Sequence, residues 1–372
     1  MRAHLESLAS HLDIEGDLVA AEPWGSGHIN DTFAATYDRQ GSQVRYIHQI
    51  INQKVFEDPV SLMENVVRVT RHVRDKLELA GTDQVERRVL SLVASRDGAS
   101  YYVDEDGNFW RTYVFIEGAR TYDLIESAEQ AHEIGRAFGA FQRLLLDLPG
   151  ARLAETIPNF HDTPARFSAL KTAIDEDIRD RCASARTEID FIEKQAPLLG
   201  VLLELQSQGR ITPRVTHNDT KLNNVMIDDE TSEGICVIDL DTVMPGIALY
   251  DFGDMVRTAT ATANEDERDL SKVTVQMQMF EALSRGYLSA AGEFLSQAEK
   301  DHLVLSGQLM TLEAGIRFLT DYLNGDTYFK VQRRGHNLDR CRSQLRLYEE
   351  LRSKEEQMQE IVAQVTAGAR AR

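Results

Sequence analysis

The order of apolar and polar positions divides the chain in two. In the first third, short runs with period two alternate with helical stretches. Val44–Ile51, Val89–Ala94 and Phe109–Phe115 read as strands bounded by polar turns. Residues 3–13 place Leu5, Leu8 and Leu12 on one helical face, and residues 59–80 do the same with Leu62, Val66, Val69 and Val73. After residue 118 the helical period dominates. It runs through about 127–147 (Ala131, Ile134, Phe138, Phe141, Leu145), 164–182, 185–208, 266–288, 296–323 and 337–368. Thr163 is the expected cap of the 164–182 helix, with Pro164 at its first position. Strand patterning returns in two short runs, 225–227 and 235–238, joined by the polar turn Asp228 to Gly234. The pattern predicts an α+β protein: residues 1–118 carrying a sheet, and residues 119–372 larger and mainly helical, with the boundary near Gly118.

The densest chemistry sits around that second strand pair. His217, Asp219 and Asn224 form H-x-D-x-x-x-x-N, and Asp239 follows the second short strand. A base and an amide five residues apart can occupy the two ends of one loop, and the strand–turn–strand brings a further carboxylate back beside the amide. Phosphoryl transfer asks for little more: an acceptor oxygen held in line, and cations on the spread negative charge. The order matches the active site of a phosphoryl-transfer enzyme with a protein-kinase-like bilobal fold. Asp219 is the expected base, and Asn224 and Asp239 the expected oxygen ligands for Mg²⁺. His217 is assigned to bracing the backbone. Asp241 shares the face of Asp239 and either supports the metal from behind or caps a turn. Asp251, ahead of a helix, is expected to cap it. Although Asp251-Phe252-Gly253 spells a kinase word, Asp239 is better placed for metal.

Earlier in the chain, Gly25-Ser26-Gly27 lies between two candidate strands, where close backbone approach could cover nucleotide phosphates or simply turn a hairpin. A kinase-like fold expects a lysine in the strand 44–51, and none is there. Arg45, Gln49, Asn52 and Lys54 stand nearby, with Glu64 on the next helix as a possible partner for a cation. Glu117, Gly118 and Ala119 follow the strand 109–115 where a hinge would present backbone groups to an adenine edge.

Composition narrows the classes. The 372 residues carry a formal net charge of −19, which argues against a nucleic-acid partner. No apolar run is long enough for a membrane span, and the N-terminus lacks the apolar segment of a signal peptide. Cys182, Cys236 and Cys341 lie far apart, favouring a reducing cytoplasm over a disulfide framework.

Over nearly its whole length the chain resembles the aminoglycoside phosphotransferase and choline kinase superfamily, and within it the bacterial N-acetylhexosamine 1-kinases. The matching words are G-S-G-H-I-N-D-T-F at 25–33, V-F-E-D-P-V-S-L-M-E-N at 55–65, H-N-D-T-K-L-N-N-V at 217–225, V-I-D-L-D-T-V-M-P-G at 237–246, Y-D-F-G-D-M-V-R at 250–257 and R-F-L-T-D-Y-L-x-G-D-x-Y-F at 317–329. The resemblance implies transfer of the γ-phosphoryl of ATP, with Mg²⁺, to the anomeric hydroxyl of GlcNAc or GalNAc. It also implies that His28, Arg317 and Tyr328 contact the sugar. By composition alone, Arg317 would read as a surface ion pair and Tyr328 as a packed ring. Two competing functions are a kinase for another hydroxyl, such as an aminoglycoside or an amino alcohol, and a nucleotide-binding pseudokinase. The intact Asp219, Asn224 and Asp239 argue against the latter.

Overall fold

The computed structural model describes residues 2–25 and 29–370. Ten strands are present among these residues: β1 (Asp17–Pro23), β2 (Asp31–Arg39), β3 (Ser42–Ile50), β4 (Tyr102–Val103), β5 (Phe109–Val114), β6 (Ala119–Arg120), β7 (Arg214–Thr216), β8 (Val225–Asp228), β9 (Gly234–Val237) and β10 (Met244–Gly246). The first five form one sheet in the order β1-β2-β3-β5-β4, with all four neighbour pairs antiparallel. β6, β8 and β9 form a second sheet, and β7 pairs with β10.

The large sheet is covered on one face by the first helix, Arg2–His11. Its Leu5 and Leu8, with Leu12 just beyond, pack on Tyr37 and Trp110 in a small separate core. The helix Pro59–Leu79 starts at Asp58, whose carboxylate accepts the Ser61 N–H at 3.0 Å, with Pro59 in the first turn. It buries Leu62, Val66, Val69 and Val73 in the main core, together with Ile134, Phe138 and Phe252 from the helical part. Glu64 lies on the exposed side of this helix, and among the described residues it forms no ion pair with a strand cation. The inward neighbour is Asn65, whose side chain joins Ala154 to the Val243 carbonyl.

Several boundaries differ from the sequence pattern. Residues 89–94 form no strand. A short helix, Val85–Arg88, precedes them, and the extended segment touches β5 through one isolated bridge, Leu92 to Tyr113. The fourth strand of the sheet is instead Tyr102–Val103. The helix Thr163–Glu176 is capped by Asp162, which accepts from Ala165 N–H at 2.9 Å, so Thr163 is already inside it. The predicted 185–208 helix breaks around Pro197 into Arg186–Lys194 and Val201–Ser207. The helix expected from 266 begins only at Met277. Lys354 separates His336–Ser353 from Glu355–Arg370. Among the described residues no helix is long and apolar enough to cross a membrane.

The helices Ala128–Leu144 and Met277–Ala291 cross so closely that glycine is required. A Cβ on Gly286 would sit 1.9 Å from the His132 carbonyl oxygen, and one on Gly135 would sit 2.4 Å from that of Leu283. Because both obstacles are backbone, neither can move aside as a side chain could. Gly286→Ala is expected to cost about 1–3 kcal/mol or more, read as a lower midpoint in urea unfolding.

Candidate functional site

The segment of the candidate base and that of the candidate metal ligands are stitched together by backbone pairing. β7 leads into His217 and pairs with β10, with Thr216 opposite Met244 and Arg214 opposite Gly246. Gly246 must lack a side chain, since a Cβ there would meet Thr216 Oγ1 at 2.2 Å and Asn218 Oδ1 at 2.6 Å. β8 and β9 then return the chain, and Ile238 N–H donates to the Asn224 carbonyl at 2.9 Å. Asp239 follows directly, in left-handed backbone geometry with φ 59. The loops of Asp219, Asn224 and Asp239 thus converge.

The loop itself is held from below by Asp251. Its carboxylate accepts the backbone N–H of His217 at 3.0 Å and of Asn218 at 2.7 Å, plus the Gln142 amide at 2.6 Å. Its carbonyl accepts the Thr220 hydroxyl at 2.6 Å. Asp251 is fully buried in the first turns of the helix Ala248–Ala259, which is entered through Ile247 with no side-chain cap. The expectation that Asp251 caps that helix is therefore wrong. The carboxylate serves a loop more than thirty residues away in sequence, which local spacing could not reveal. His217 does brace the backbone. Its Nδ1 accepts the Asp219 N–H at 3.3 Å, so Nε2 carries the proton donated to the Ile238 carbonyl at 2.9 Å. A second histidine was not anticipated. His161 contacts Glu313 through Nδ1 and the Asn218 carbonyl through Nε2, both at 2.8 Å, linking this loop to the helix Leu303–Asn324.

At the reacting face, Asp219 lies 3.0 Å from the Lys221 ammonium. Burial alone would raise the Asp219 carboxyl, but Lys221, together with the nearby His217 and Arg257, outweighs it and holds the group below its ordinary value. Asn224 donates through Nδ2 to the Asp219 carbonyl at 2.8 Å, leaving Oδ1 as the oxygen able to face a cation. Asp239 is pushed up to about 6, first by burial and then by the charges of Asp241 and Asp219. A divalent cation beside it would relieve that crowding, so the donor set fits Mg²⁺. Among the described residues no three His, Cys, Asp or Glu side chains cluster into a metal site. An ion held by Asn224 and Asp239 alone would take its remaining ligands from substrate phosphates and water.

Asp241 neither caps a turn nor stands alone. It makes a buried ion pair with Arg111 of β5 and accepts from Asn30 Nδ2 at 2.6 Å. Arg111 also donates to Gln49 of β3 at 2.9 Å. The strand that lacks a lysine therefore carries Gln49, with the buried cation on the neighbouring strand. Arg45 instead pairs with Glu117 at the surface, and Lys54 is exposed. Arginine in the middle of the apolar run F-W-R-T-Y-V was the sequence signal for Arg111. Lys221, two residues after Asp219, was the other charge overlooked.

The remaining candidates fall in three places. Gly25 has φ 80 and open space around it, whereas Ser26, Gly27 and His28 lie outside the described residues. At 117–119 the Glu117 and Gly118 carbonyls accept from Arg87, Gly118 also accepts from Asp229 N–H, and Ala119 pairs with Asp228. Each carbonyl keeps a second lone pair only if nothing else takes it, and that of Gly118 already has two donors. Arg317 and Tyr328 share a cavity of about 460 Å³ with Asp219 and Asp239. The Arg317 guanidinium lies 5.0 Å from the Phe160 ring, 5.6 Å from Phe329 and 6.0 Å from Tyr328. The loop bearing Tyr328 is fixed by Asp321, which accepts the N–H groups of Thr327, Tyr328 and Phe329 at 2.8–3.0 Å.

The phosphotransferase enzyme family model (APH) matches residues 20–290. The chain belongs to that family. It is a phosphotransferase of the aminoglycoside phosphotransferase and choline kinase type, with the protein-kinase-like α+β fold. The fold is shared with a microcompartment-associated aminopropanol kinase at TM-score 0.58 and 16% identity, over 96% of this chain and 98% of that one. An aminoglycoside phosphotransferase from Alicyclobacillus acidocaldarius matches at 0.56 and 12%, over 98% and 96%. A choline kinase from Cryptosporidium parvum matches at 0.55 and 14%, over 95% and 96%.

Two outcomes follow from this geometry. Asp251→Asn places an N–H₂ group against a backbone N–H, and leaving such a group unsatisfied costs about 1–3 kcal/mol; a lowered urea midpoint and lowered turnover are expected together. For Asp239 the folded value lies above the unfolded one. The metal-free protein therefore keeps the associated stability below about pH 4 and loses it as pH rises through about 6. Mg²⁺ should accordingly raise the melting temperature more at pH 8 than at pH 5, measured by scanning fluorimetry.

Proposed function

We propose that the chain transfers the γ-phosphoryl of ATP to the anomeric hydroxyl of an N-acetylhexosamine, giving the sugar 1-phosphate. Asp219 orients that hydroxyl and takes its proton, and Lys221 keeps positive charge beside it. Asn224 and Asp239 are the residues to hold Mg²⁺, which neutralises charge on the triphosphate. Gly25, Ser26 and Gly27 approach the phosphates, the backbone of Glu117, Gly118 and Ala119 approaches the adenine, and His28, Arg317 and Tyr328 approach the sugar. The reading places the working reaction in the cytoplasm, where ATP is available.

The observation that carries the choice of acceptor is the wall of the cavity around Arg317. Arg317, Lys330 and Arg340 line it, with Phe160, Tyr328 and Phe329 between them. Of the carboxylates near it, Glu265 is bonded to Arg257 at 2.6 Å, Asp123 accepts from Asn223 at 3.2 Å, Asp241 is paired with Arg111, and Asp321 is used by three backbone N–H groups. A cationic acceptor such as an amino alcohol or an aminoglycoside needs carboxylates to replace its lost hydration, and this wall offers guanidinium groups. An uncharged polyol with an apolar face suits it better: hydroxyls accept from arginine while the ring packs on aromatic faces.

The test is incubation with ATP, Mg²⁺ and GlcNAc or GalNAc, reading the phosphorylated position by phosphorus-coupled NMR. Phosphate on the anomeric oxygen is expected. ATP turnover confined to amino alcohols or aminoglycosides would overturn the sugar reading. Asp219→Asn should lower kcat by about 10²–10⁴-fold with nucleotide affinity near that of the wild type. Asp239→Ala should instead weaken the Mg²⁺–nucleotide complex, seen by calorimetry.

A further inference from the structure

The cavity continues beyond Arg317 into a recess between the segment after the helix Ala248–Ala259 and the helices Leu303–Asn324 and His336–Ser353. Two polar side chains and an apolar lining of small and aromatic residues meet there: Arg340, Gln344, Ala261, Ala263, Ala314 and Phe318. Both polar residues are more than nine-tenths buried, Gln344 at 3% exposure and Arg340 at 7%. The Gln344 Oε1 atom is buried and accepts no hydrogen bond. Buried amide oxygens are normally paired, and one without a partner, on a side chain that lines a cavity, leaves a place for a donor from outside the protein. Arg340 uses Nη1 on two neutral oxygens, the Lys330 carbonyl at 3.3 Å and Asn337 Oδ1 at 2.9 Å, and lies 5.5 Å from the Phe318 ring. A guanidinium has five donors, so these contacts leave Nε and Nη2 for a ligand.

We propose that Arg340 and Gln344 form a subsite that reads a secondary amide on the acceptor, the acetamido group of the hexosamine. The assignment rests on the sugar reading above. The amide N–H donates to Gln344 Oε1, the amide carbonyl accepts from Arg340, and the methyl group lies among the alanines and Phe318. Competing substituents fit worse on chemical grounds. A hydroxyl donates to Gln344 but leaves the apolar lining empty. An ammonium is repelled by Arg340. A carboxylate sets an oxygen against Oε1.

The experiment compares kcat/KM for an N-acetylhexosamine and for its parent hexose, in the wild type and in Gln344→Leu. A site built around an amide discriminates against the analogue that lacks it, because its own polar groups are then left unpaired. The wild type is expected to favour the acetamido sugar, and Gln344→Leu to reduce that preference by roughly tenfold or more. Gln344→Met is the second variant, and a cooperative melt confirms that each is folded. Removing an unpaired buried amide oxygen should leave the melting temperature at or above the wild-type value. A wild type that makes no sugar phosphate overturns the sugar reading and this subsite with it. A wild type that phosphorylates both sugars, with the preference unchanged in both folded variants, overturns the subsite alone.

Discussion

The site depends on one carboxylate accepting backbone hydrogen bonds. Asp251 is locked into a helix of the main core and takes the N–H groups of His217 and Asn218, the two residues immediately before Asp219. The loop cannot take part in a regular ladder there, because Asn218 has φ 65. Without an ionised acceptor, two buried N–H groups would be left unpaired. The same anchor reaches Gln142 on the helix Ala128–Leu144, and Gln142 in turn accepts from Tyr287 on the helix packed against it. The glycine-mediated crossing of those two helices is therefore connected to the position of the candidate base through three hydrogen bonds.

A second constraint is the collection of like charge in the cleft. Asp219 and Asp241 sit close enough to Asp239 to raise its carboxyl. Each is handled differently. Asp241 is neutralised by Arg111, a buried pair that ties β5 to the metal loop. Asp219 is offset by Lys221. Among the described residues no cation forms an ion pair with Asp239, and its carboxyl is raised. Charge compensation thus singles out Asp239 as the place where a cation adds most. The cost of keeping Asp239 ready is a charge arrangement that a folded core alone would not favour.

On the side of the cavity around Arg317, a single aspartate performs the organising task. Asp321 gathers the turn 327–329 and also accepts from Asn337 at 2.8 Å, while Gly325 ends its helix with φ 100. This explains why T-D-Y-L-x-G-D-x-Y-F is a long word. The aspartate, the glycine and the aromatics are parts of one loop that faces Tyr328 and Phe329 toward Arg317. His161 joins that side to the catalytic loop through Glu313, one helical turn before Arg317.

Sequence alone was enough for the α+β class, for most helices and for the catalytic word, because period and short spacing are local properties of a chain. It placed His217, Asp219, Asn224 and Asp239 on loops joined by two short strands. It failed where a side chain answers a distant group. Asp251 reads as a cap until His217 is brought above it, and Arg111 passes unremarked until Asp241 arrives from the other side of the cleft. Residues 89–94 have strand composition but only one bridge to a neighbour, and pairing is what makes a strand. Thr163 reads as a cap, yet its hydroxyl goes to Glu313, and Asp162 does the capping. Gln344 carries no sequence signal at all: its meaning lies in a missing partner, and only folding determines which polar groups have partners.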